Sequence, residues 1–248
     1  MKITVLGGCG AWPSAGQACS GYLVEREGFR LLIDPGYATL PRLLATVAAE
    51  RIDAVLVSHG HPDHCADLNP LLRARALGDQ PPPALPVHAP PGALDAVLAL
   101  DNARMLAGSY ALHDLDPARP VEVGPFRVQT WALPHFVPNA GMRLTAGDRV
   151  LAYTGDTGPS EDIVTMARDA DVLLAEATFP EHIVPAADAP YLSTARQAGE
   201  YGRDAGVGRL LLTHLWPDTD PAAAEAAAGV AYTGDLGTAV LDLVLDLG

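Results

Sequence analysis

Long hydrophobic runs are missing from this sequence. No apolar stretch approaches the roughly 20 residues that a helix needs to cross a bilayer. The opening segment, MKITVLGGCG, breaks at glycines and has neither the longer apolar stretch nor the cleavage site of a signal peptide. We therefore expect a cytoplasmic protein without membrane association.

Basic residues are also scarce. The chain has 16 Lys and Arg against 30 Asp and Glu, which gives a formal net charge of -14. Proteins that bind nucleic acid release counterions through basic patches, and no run of Lys or Arg occurs here. We therefore expect a small-molecule substrate rather than nucleic acid.

Cysteine occurs three times, as Cys9, Cys19 and Cys65, without the spacing of metal ligands. An odd number of unpaired thiols is typical of reduced cysteines in a cytosolic protein. Cys65 lies beside a histidine cluster, so a second interpretation is that it lines a site or reacts with oxidants.

The proportions of hydrophobic and charged residues favour a folded domain. Of the 248 residues, 49% are hydrophobic and 19% charged, which predicts a sizeable core and argues against disorder. A chain of this length is near the upper limit for one core, and we expect a single domain over residues 1–248.

Short apolar runs alternate with turn residues along the whole chain. Residues 52–59 (IDAVLVSH) are almost entirely apolar, as in a strand covered on both faces. We predict helices over residues 63–77 and 90–106, and a final edge strand over residues 238–247. Two β-rich stretches, each followed by helices, predict two sheets packed face to face with helices outside.

Four polar side chains lie within six positions at the end of this strand and just after it. They are His59, His61, Asp63 and His64, in the segment SHGHPDH. A loop entering a helix can turn residues at this spacing toward one or two common points. Neutral imidazoles and carboxylates are ligands of zinc, iron or manganese, so the cluster predicts a metal site.

SHGHPDH resembles the signature of the metallo-β-lactamase fold hydrolases, in the branch of ribonuclease Z and its smaller phosphodiesterase relatives. Later segments match the family's further ligand positions in order: LPHF, YTGD and LLTHL supply His135, Asp156 and His214. Asp34, in IDPG, matches an early motif in which the aspartate is structural. The resemblance implies an αββα four-layer sandwich, with two mixed β-sheets between outer helices.

The resemblance also implies a dinuclear metal centre. One ion would take His59, His61 and His135, the other would take Asp63, His64 and His214, and Asp156 would bridge them. We expect two divalent ions; Zn²⁺ is the preferred identity, and Mn²⁺ or Fe²⁺ is the alternative. A hydroxide bridging the ions would be the nucleophile, oriented by Asp63. Three further histidines match no family position and are expected to be ordinary surface residues: His88, His113 and His182.

The sequence departs from ribonuclease Z where that family keeps its proton donor. Glu176 is retained in AEATF and remains a candidate catalytic residue, but Ala175 and Leu192 stand where histidines occur in the family. His182 or Tyr191 is a candidate substitute, or the leaving group departs without help. We therefore do not expect processing of transfer RNA.

Three aromatic residues adjoin the motif segments and are candidate substrate-binding residues: Trp12, Phe136 and Trp216. Simple packing is the second interpretation for each of them.

We predict a dinuclear metal-dependent hydrolase acting on a small-molecule phosphodiester or activated ester. A second hypothesis keeps the metals but has the enzyme cleave a lactone, thioester or other carbonyl substrate of a specialised biosynthetic pathway. A third is a metal-binding scaffold with little catalysis. A fourth is a di-iron redox protein, which is disfavoured because the sequence shows no flavodoxin-like segment. Relatives in this branch are often dimers, so a homodimer stays open.

Overall fold

The computed structural model describes residues 1–102 and 104–248. Within them, fourteen strands form two sheets of seven. The first sheet has the order β14-β1-β2-β3-β4-β5-β6, with β1 (Lys2–Gly7), β2 (Gly21–Arg26), β3 (Phe29–Ile33), β4 (Ala54–Leu56), β5 (Leu85–Ala89), β6 (Tyr110–Asp114) and β14 (Val244–Asp246). The second has the order β13-β12-β11-β10-β9-β8-β7, with β7 (Val121–Val123), β8 (Phe126–Leu133), β9 (Asn139–Ala146), β10 (Arg149–Tyr153), β11 (Val172–Glu176), β12 (Arg209–Thr213) and β13 (Asp235–Thr238).

Seven α-helices of the described residues cover the outer faces of the two sheets. Those associated with the first sheet are α1 (Thr39–Leu44), α2 (Pro62–Cys65), α3 (Leu68–Ala76) and α4 (Asp95–Leu98). Those associated with the second are α5 (Glu161–Ala167), α6 (Ala195–Ala205) and α7 (Pro221–Gly229). Short 3-10 helices occupy Ala49–Arg51 and Ala186–Asp188.

Alternation along the strands divides the apolar residues among three layers of core. In β3, Leu31 and Ile33 point into the layer between the two sheets, whereas Leu32 points to the helices over the first sheet. In β11, Leu174 faces the layer between the sheets and Leu173 faces the helices of the second sheet. Successive side chains of a strand point to opposite faces, so a strand covered on both sides is apolar throughout. The predicted αββα sandwich is confirmed.

The strand directions bring the predicted site residues together. β4 runs parallel to β3 and β5, and β11 runs parallel to β10 and β12. His59, Asp156 and His214 follow the carboxyl ends of β4, β10 and β12. Such ends, in sheets with parallel strands, are where side chains from several loops converge.

The predicted helix over residues 63–77 is two helices, because α2 ends at Cys65 and α3 begins at Leu68. The backbone N–H of Asp67 donates to the carbonyl of Pro35, with an N···O distance of 2.8 Å. The Asp67 carboxylate also accepts a hydrogen bond from the Leu40 N–H at 2.7 Å. These contacts with the segment after β3 interrupt the helical pattern.

Two further predictions from the sequence were wrong. Residues 238–247 do not form one edge strand: β13 ends at Thr238 in the second sheet and β14 begins at Val244 in the first. Asp242, at φ +64°, lies in the turn between them. Among the described residues of the segment 90–106, only Asp95–Leu98 is α-helical, and residue 103 lies outside them.

Across residues 1–102 and 104–248, no helix combines the length and the apolar character that crossing a membrane requires.

Candidate metal centre

The loop after β4 turns directly into a short helix that fixes the spacing of the histidine motif. His61 is the extended residue before α2, and Pro62 occupies the first turn, where its missing N–H leaves no hydrogen bond unmade. Asp63 and His64 then project from this turn and are buried. The loop thereby presents its four polar side chains to the gap between the two sheets.

Two groups of four donor atoms converge at this point, and within each group all the donor atoms lie within 4.8 Å of one another. The first group, called cluster one, contains His59, His61, His135 and Asp156. The second group, called cluster two, contains Asp63, His64, Asp156 and His214. Asp156 belongs to both groups, and its role as a bridging ligand stays a prediction.

Cluster one is built around His61. Its Nδ1 lies 3.2 Å from His59 Nε2 and 3.1 Å from His135 Nε2. Asp156 Oδ2 lies 3.7 Å from His59 Nε2 and 3.8 Å from His135 Nε2. The three imidazoles and the carboxylate therefore face one small common volume.

Cluster two is built around the carboxylates of Asp63 and Asp156. His214 Nε2 lies 3.1 Å from Asp63 Oδ2 and 3.1 Å from Asp156 Oδ2. His64 Nε2 lies 3.2 Å from Asp156 Oδ1 and 3.6 Å from Asp63 Oδ2. Two nitrogens and two carboxylates form a donor set suited to a divalent ion.

Neighbouring groups fix the tautomer of the histidines in both clusters. His64 Nδ1 donates to Asp34 Oδ2 at 2.8 Å, and His135 Nδ1 donates to the Tyr191 carbonyl at 2.9 Å. Carboxylates and carbonyls only accept hydrogen bonds, so each of these rings carries its proton on Nδ1. Nε2 of both rings therefore faces the clusters: His135 offers a lone pair, because its pKa is lowered, first by burial, and His64 offers one when a cation displaces its proton.

The Ser58 hydroxyl fixes which ring nitrogen of His59 carries the proton. The Ser58 hydroxyl donates its single hydrogen to Asp34 Oδ2 at 2.6 Å. It can therefore only accept at its 3.0 Å contact with His59 Nδ1, which must carry the ring proton. His59 Nε2 is thus left as a lone pair.

A chain of three residues fixes His214 in the same way. The Thr178 hydroxyl donates to Glu176 Oε2 at 2.6 Å and so accepts from His214 Nδ1 at 3.0 Å. His214 Nε2 then faces Asp63 and Asp156, donates to Asp63 Oδ2 at 3.1 Å when it carries a proton, and offers a lone pair to a cation when that proton is displaced. Orientation of a ligating histidine by a hydrogen bond at its other nitrogen is the usual arrangement in metal sites.

The converging lone pairs fit a cation and are costly without one. His59 and His135 both direct Nε2 lone pairs at His61 Nδ1, which has at most one proton to offer. His64 Nε2 and Asp156 Oδ1 are buried and lie 3.2 Å apart, but neither makes a hydrogen bond among the described residues. Buried polar atoms are nearly always paired by hydrogen bonds, so these two atoms favour a metal-binding arrangement.

Burial and mutual charge determine the electrostatics of the protein groups. Burial, followed by the charge of His64, lowers the pKa of His59 well below its ordinary value. Burial would raise the pKa of Asp156, but His214 and His64 outweigh it and hold that pKa well below the ordinary range. Burial would lower the pKa values of His64 and His214, but the carboxylates of Asp156 and Asp63 outweigh it and raise both pKa values above the ordinary value. Binding of a cation would therefore displace protons from these two rings.

Asp34 is a structural hub beneath the centre, as the family resemblance implied. It is fully buried and accepts hydrogen bonds from the Ser58 N–H at 2.7 Å and the Tyr153 hydroxyl at 2.7 Å, in addition to Ser58 Oγ and His64. Its φ of +48° is in the left-handed region, which is strained for a residue other than glycine. The hydrogen bonds compensate for that strain and hold His64 in place.

His214 is also held in a strained backbone conformation. Its φ is +59°, and a Cβ atom at Gly10 would lie 2.9 Å from the imidazole Nδ1. The loop after β1 therefore needs a glycine to pass over the ring. Ala11, the next residue, donates its N–H to Asp63 Oδ2 at 2.8 Å, so this loop also orients a cluster-two carboxylate.

Glu176 is buried and engaged by three donors. Its Oε1 accepts from the Thr157 N–H at 2.5 Å and from the Ser193 N–H at 3.1 Å, and its Oε2 accepts from Thr178. Burial, and then the charge of Asp156, raises the pKa of Glu176 to about 8. Through these contacts Glu176 joins the loop that contains Asp156 to the start of α6 and to Thr178, which orients His214. Such contacts are typical of a residue that positions metal ligands.

Leu192 and Ala175 provide no route for a proton, because both are buried apolar residues. Of the candidate substitutes, Tyr191 lies next to the centre: its carbonyl accepts the hydrogen bond from His135, and its ring lies 4.7 Å from that of Phe136. His182 is exposed.

Two groups of aromatic rings, here called the aromatic border, adjoin site residues: one contacts His135, and the other lies in the chain segments that follow Ala11 and His214. Phe136, 49% exposed, lies with its ring 5.2 Å from that of His135. Trp12, 47% exposed, lies 5.4 Å from Trp216, whose ring lies 4.9 Å from Phe179. Phe179 was not predicted from the sequence as part of this border, although it adjoins the AEAT segment that contains Glu176.

Outside the clusters, two expectations from the sequence can be compared with the structure. Cys65 is a buried thiol directed at the carbonyls of Gly60 and His61, and burial raises its pKa to about 12, so a reactive thiolate is not supported. His88 is not a surface residue: it is 9% exposed, although His113 beside it is exposed.

Comparison with known proteins places this chain in a family. A family model described as "Beta-lactamase superfamily domain" matches residues 29–215, and the chain belongs to that family. With this fold and its donor clusters, the chain is a metal-dependent hydrolase of the ribonuclease Z-like branch.

Particular relatives support the assignment. The probable metallo-hydrolase YhfI of Bacillus subtilis is 33% identical over 222 residues, covering 87% of each chain. The crystal structure of YhfI superposes with a TM-score of 0.89, at 30% identity and 98% coverage of both chains. A ribonuclease Z from Kineococcus radiotolerans is 32% identical over 285 residues, covering 94% of this chain and 90% of its own.

Human tRNase Z, short form, shares the fold with a TM-score of 0.81 at 23% identity, with 100% of both chains covered. From the net charge and the missing histidine, we expected that nucleic acid is not a substrate. The relatives named as ribonucleases weaken that expectation.

Proposed function

We propose that this chain is a dinuclear-metal hydrolase that cleaves small phosphodiesters or esters with acidic leaving groups. The observation that carries the proposal is the sharing of Asp156 by two groups of four donor atoms. A single structural metal site would need only one such group. A bridging carboxylate between two groups suits a two-metal hydrolase, in which both ions act on one bond.

The proposed ligands of the first ion are His59, His61 and His135, and those of the second are Asp63, His64 and His214, with Asp156 between them. We expect both cations to be Zn²⁺, with Mn²⁺ or Fe²⁺ as the second choice. Bound at this centre, they would lower the pKa of a water molecule and act as Lewis acids. Nitrogen-rich cluster one and the mixed donors of cluster two both suit zinc.

The protein's own groups would position the reactants. Asp63, whose Oδ2 accepts a hydrogen bond from the Ala11 N–H at 2.8 Å, would accept a hydrogen bond from the attacking water and so orient it. Glu176 fixes the position of the Asp156 loop and of Thr178 by accepting hydrogen bonds from both. Thr178 in turn keeps Nε2 of His214 directed at the centre. These contacts hold the donor geometry within the narrow tolerance that catalysis needs.

The leaving group must depart largely without a proton. Leu192 and Ala175 are apolar, and the Glu176 carboxylate is occupied by three protein donors. General acid assistance is worth roughly 10²–10⁴ in rate, so its loss selects substrates whose leaving group is already a stable anion. Phenolates, enolates and thiolates meet this condition, and alkoxides do not.

The aromatic rings on both sides are proposed as substrate walls. Trp12 and Trp216 form one wall and Phe136 the other, with the Tyr191 ring packed against Phe136. Partly exposed aromatic side chains beside a polar centre favour a substrate with a flat or apolar group next to the scissile bond.

Both sheets supply ligands, so we propose one functional unit over residues 1–248. His59 follows β4 of the first sheet, whereas His135 and His214 follow β8 and β12 of the second. Neither sheet would carry a complete cluster alone.

The proposal is tested by a substrate panel with purified, zinc-loaded protein. We expect turnover of bis-p-nitrophenyl phosphate, loss of that turnover in Asp156→Asn, and retention in Asp162→Asn, which changes an exposed residue. Turnover that is equal in the two variants would contradict the proposal.

A second candidate function is a carbonyl-directed hydrolase acting on lactones or thioesters. The specific observation in its favour is the apolar pair Ala175 and Leu192, because thioesters and activated lactones need no proton donor. Faster hydrolysis of thioesters or lactones than of the phosphodiester, with the same loss in Asp156→Asn, would select this function. Precursor transfer RNA belongs in the same panel, since relatives are named ribonuclease Z.

A further inference from the structure

An apolar groove lies beside cluster one. It consists of two cavities, of about 530 Å³ and about 260 Å³, which share the lining residues Pro91, Val137 and Pro138. The residues that line the larger cavity are Pro90, Pro91, Leu115, Pro117 and the segment 132–140. The smaller cavity extends to Gly60. Because the two cavities have common walls, they form one groove, here called the proline groove.

The proline groove reaches cluster one at two places. His135, which lines the larger cavity, is a proposed ligand of the first ion. Gly60, which lines the smaller cavity, stands between His59 and His61 in the chain. Among the described residues of cluster two, none lines the groove. A group bound in the groove would therefore approach the centre from the side of the first ion.

The groove offers a ligand almost no charge. Of the described residues that line it, only His135 and Asn139 have polar side chains; the others are Gly, Ala, Val, Leu, Phe and Pro. In a chain with a net charge of -14, such a surface beside a polar centre is unusual. A charged ligand group would lose its hydration here without gaining a partner, whereas an uncharged apolar group would not.

The amide of Asn139 is turned toward the loop before Asp156. Asn139 is buried, and its Nδ2 donates to the Thr154 carbonyl at 3.0 Å. Its Oδ1 lies against Gly155, where a Cβ atom would come within 2.3 Å of it. The amide is thus engaged within the fold, and the groove stays apolar next to it.

The walls of the groove are preformed. Five of the lining residues are prolines, which have a fixed φ and no N–H: Pro90, Pro91, Pro117, Pro134 and Pro138. The Pro134 carbonyl accepts a hydrogen bond from the Gly158 N–H at 2.7 Å, and the Ala140 N–H donates to the Ser58 carbonyl at 2.9 Å. Gly158 follows Asp156 and Ser58 precedes His59, so these bonds fix the groove relative to the donor atoms. A preformed pocket loses less binding free energy to ordering.

We propose that the proline groove binds an uncharged apolar arm of the substrate, an aryl or branched alkyl group, while the bond to be cleaved lies at the two metal positions. The proposal rests on the proposed function, since it names what the substrate carries beside that bond. Cavities of roughly 300–1,000 Å³ hold most of a small ligand, so the larger part of the groove alone has room for such an arm. A substrate with charged groups on both sides of the scissile bond would be disfavoured.

Calorimetric titration of zinc-loaded protein with phenylphosphonate and with methylphosphonate tests the groove. Both probes carry the same phosphonate for the metals and differ only in the arm. We expect the phenyl compound to bind at least about tenfold more tightly, as burial of an aromatic ring predicts. The ratio of the two affinities is the readout, because any change at the metals affects both probes alike.

Val137→Asp places a carboxylate where both cavities are lined, and the preference for the phenyl compound should fall below about twofold. Ala132→Asp, at an exposed residue of the larger cavity, is a second variant where Val137→Asp fails to fold. Val230→Asp, at a 65% exposed valine after α7, is the matched control and should keep the wild-type preference.

Three results would overturn the proposal. They are a wild-type protein that binds neither probe or binds both equally, a preference that is unchanged in both groove variants, and a preference that is lost in Trp216→Ala instead. Turnover of bis-p-nitrophenyl phosphate is measured separately. Equal affinities with intact turnover would contradict the groove alone, whereas a phenyl preference without turnover would contradict the proposed function alone.

Discussion

His61 Nδ1 lies 3.1 Å from His135 Nε2, although 74 positions separate the two residues in the chain. His61 comes from the loop after β4 in the first sheet, and His135 comes from the loop after β8 in the second. The contact therefore exists only when the two sheets are packed together. Binding of a cation between these rings would stabilise the native packing by the usual linkage of ligand binding to folding.

The Thr178 hydroxyl is expected to control the metal affinity of cluster two. Thr178→Val keeps the shape of the side chain but removes the acceptor at 3.0 Å from His214 Nδ1. Loss of such an orienting contact typically weakens metal binding by about 10–100-fold. Zinc competition with a chromophoric chelator measures the change. Thr130→Val, at a buried threonine of β8, is the control and should leave the affinity unchanged.

Glu176 is expected to act by position and not as a proton donor. At pH 9, where the Glu176 carboxyl is ionised, Glu176→Gln replaces one acceptor oxygen with an amide group that cannot accept a hydrogen bond, so the free energy of unfolding should fall by roughly 1–3 kcal/mol. The rate should fall by the same factor for phenol and p-nitrophenol leaving groups. A much larger loss with the poorer leaving group would identify Glu176 as the general acid.

Trp216 is expected to contribute to substrate affinity. Trp216→Ala should raise KM for an aryl phosphodiester about fivefold, since an aromatic contact is worth roughly 1 kcal/mol. The KM for a substrate without an aryl group should change much less. Trp216→Phe should restore most of the aryl preference, and equal effects of the alanine variant on both substrates would contradict a wall at this position.

His88 is expected to make the stability of the metal-free protein depend on pH. Its pKa is about 4 in the folded chain and about 6.5 when unfolded. Between these values the unfolded state binds more protons, so the free energy of unfolding falls as the pH drops from about 6.5 to about 4. Urea unfolding at pH 7 and pH 5 should show a smaller decrease in His88→Gln than in wild type. Equal decreases would contradict the pKa assignment.

The donor residues could be predicted from the sequence because their positions are local or family-specific. His59, His61, Asp63 and His64 lie within six residues, and His135, Asp156 and His214 each follow a recognisable strand. The structure adds Ser58 and Thr178, whose roles depend on which hydrogen bond each hydroxyl donates.

Features that depend on contacts between distant segments could not be predicted from local pattern. The break at Asp67 arises from hydrogen bonds with Pro35 and Leu40, which belong to another segment. The burial of His88 arises from the pairing of β5 between β4 and β6, and β6 itself was not predicted.

The most direct test of the metal-dependent mechanism is the recovery of activity as zinc is returned to chelator-treated protein. Because Asp156 belongs to both clusters, we expect no turnover of bis-p-nitrophenyl phosphate without metal, and full turnover only after about two equivalents of Zn²⁺. His61→Ala, which removes the central ligand of cluster one, should stay more than about 100-fold less active at the same zinc concentration. Undiminished turnover by the metal-free protein, or by His61→Ala, would contradict the account.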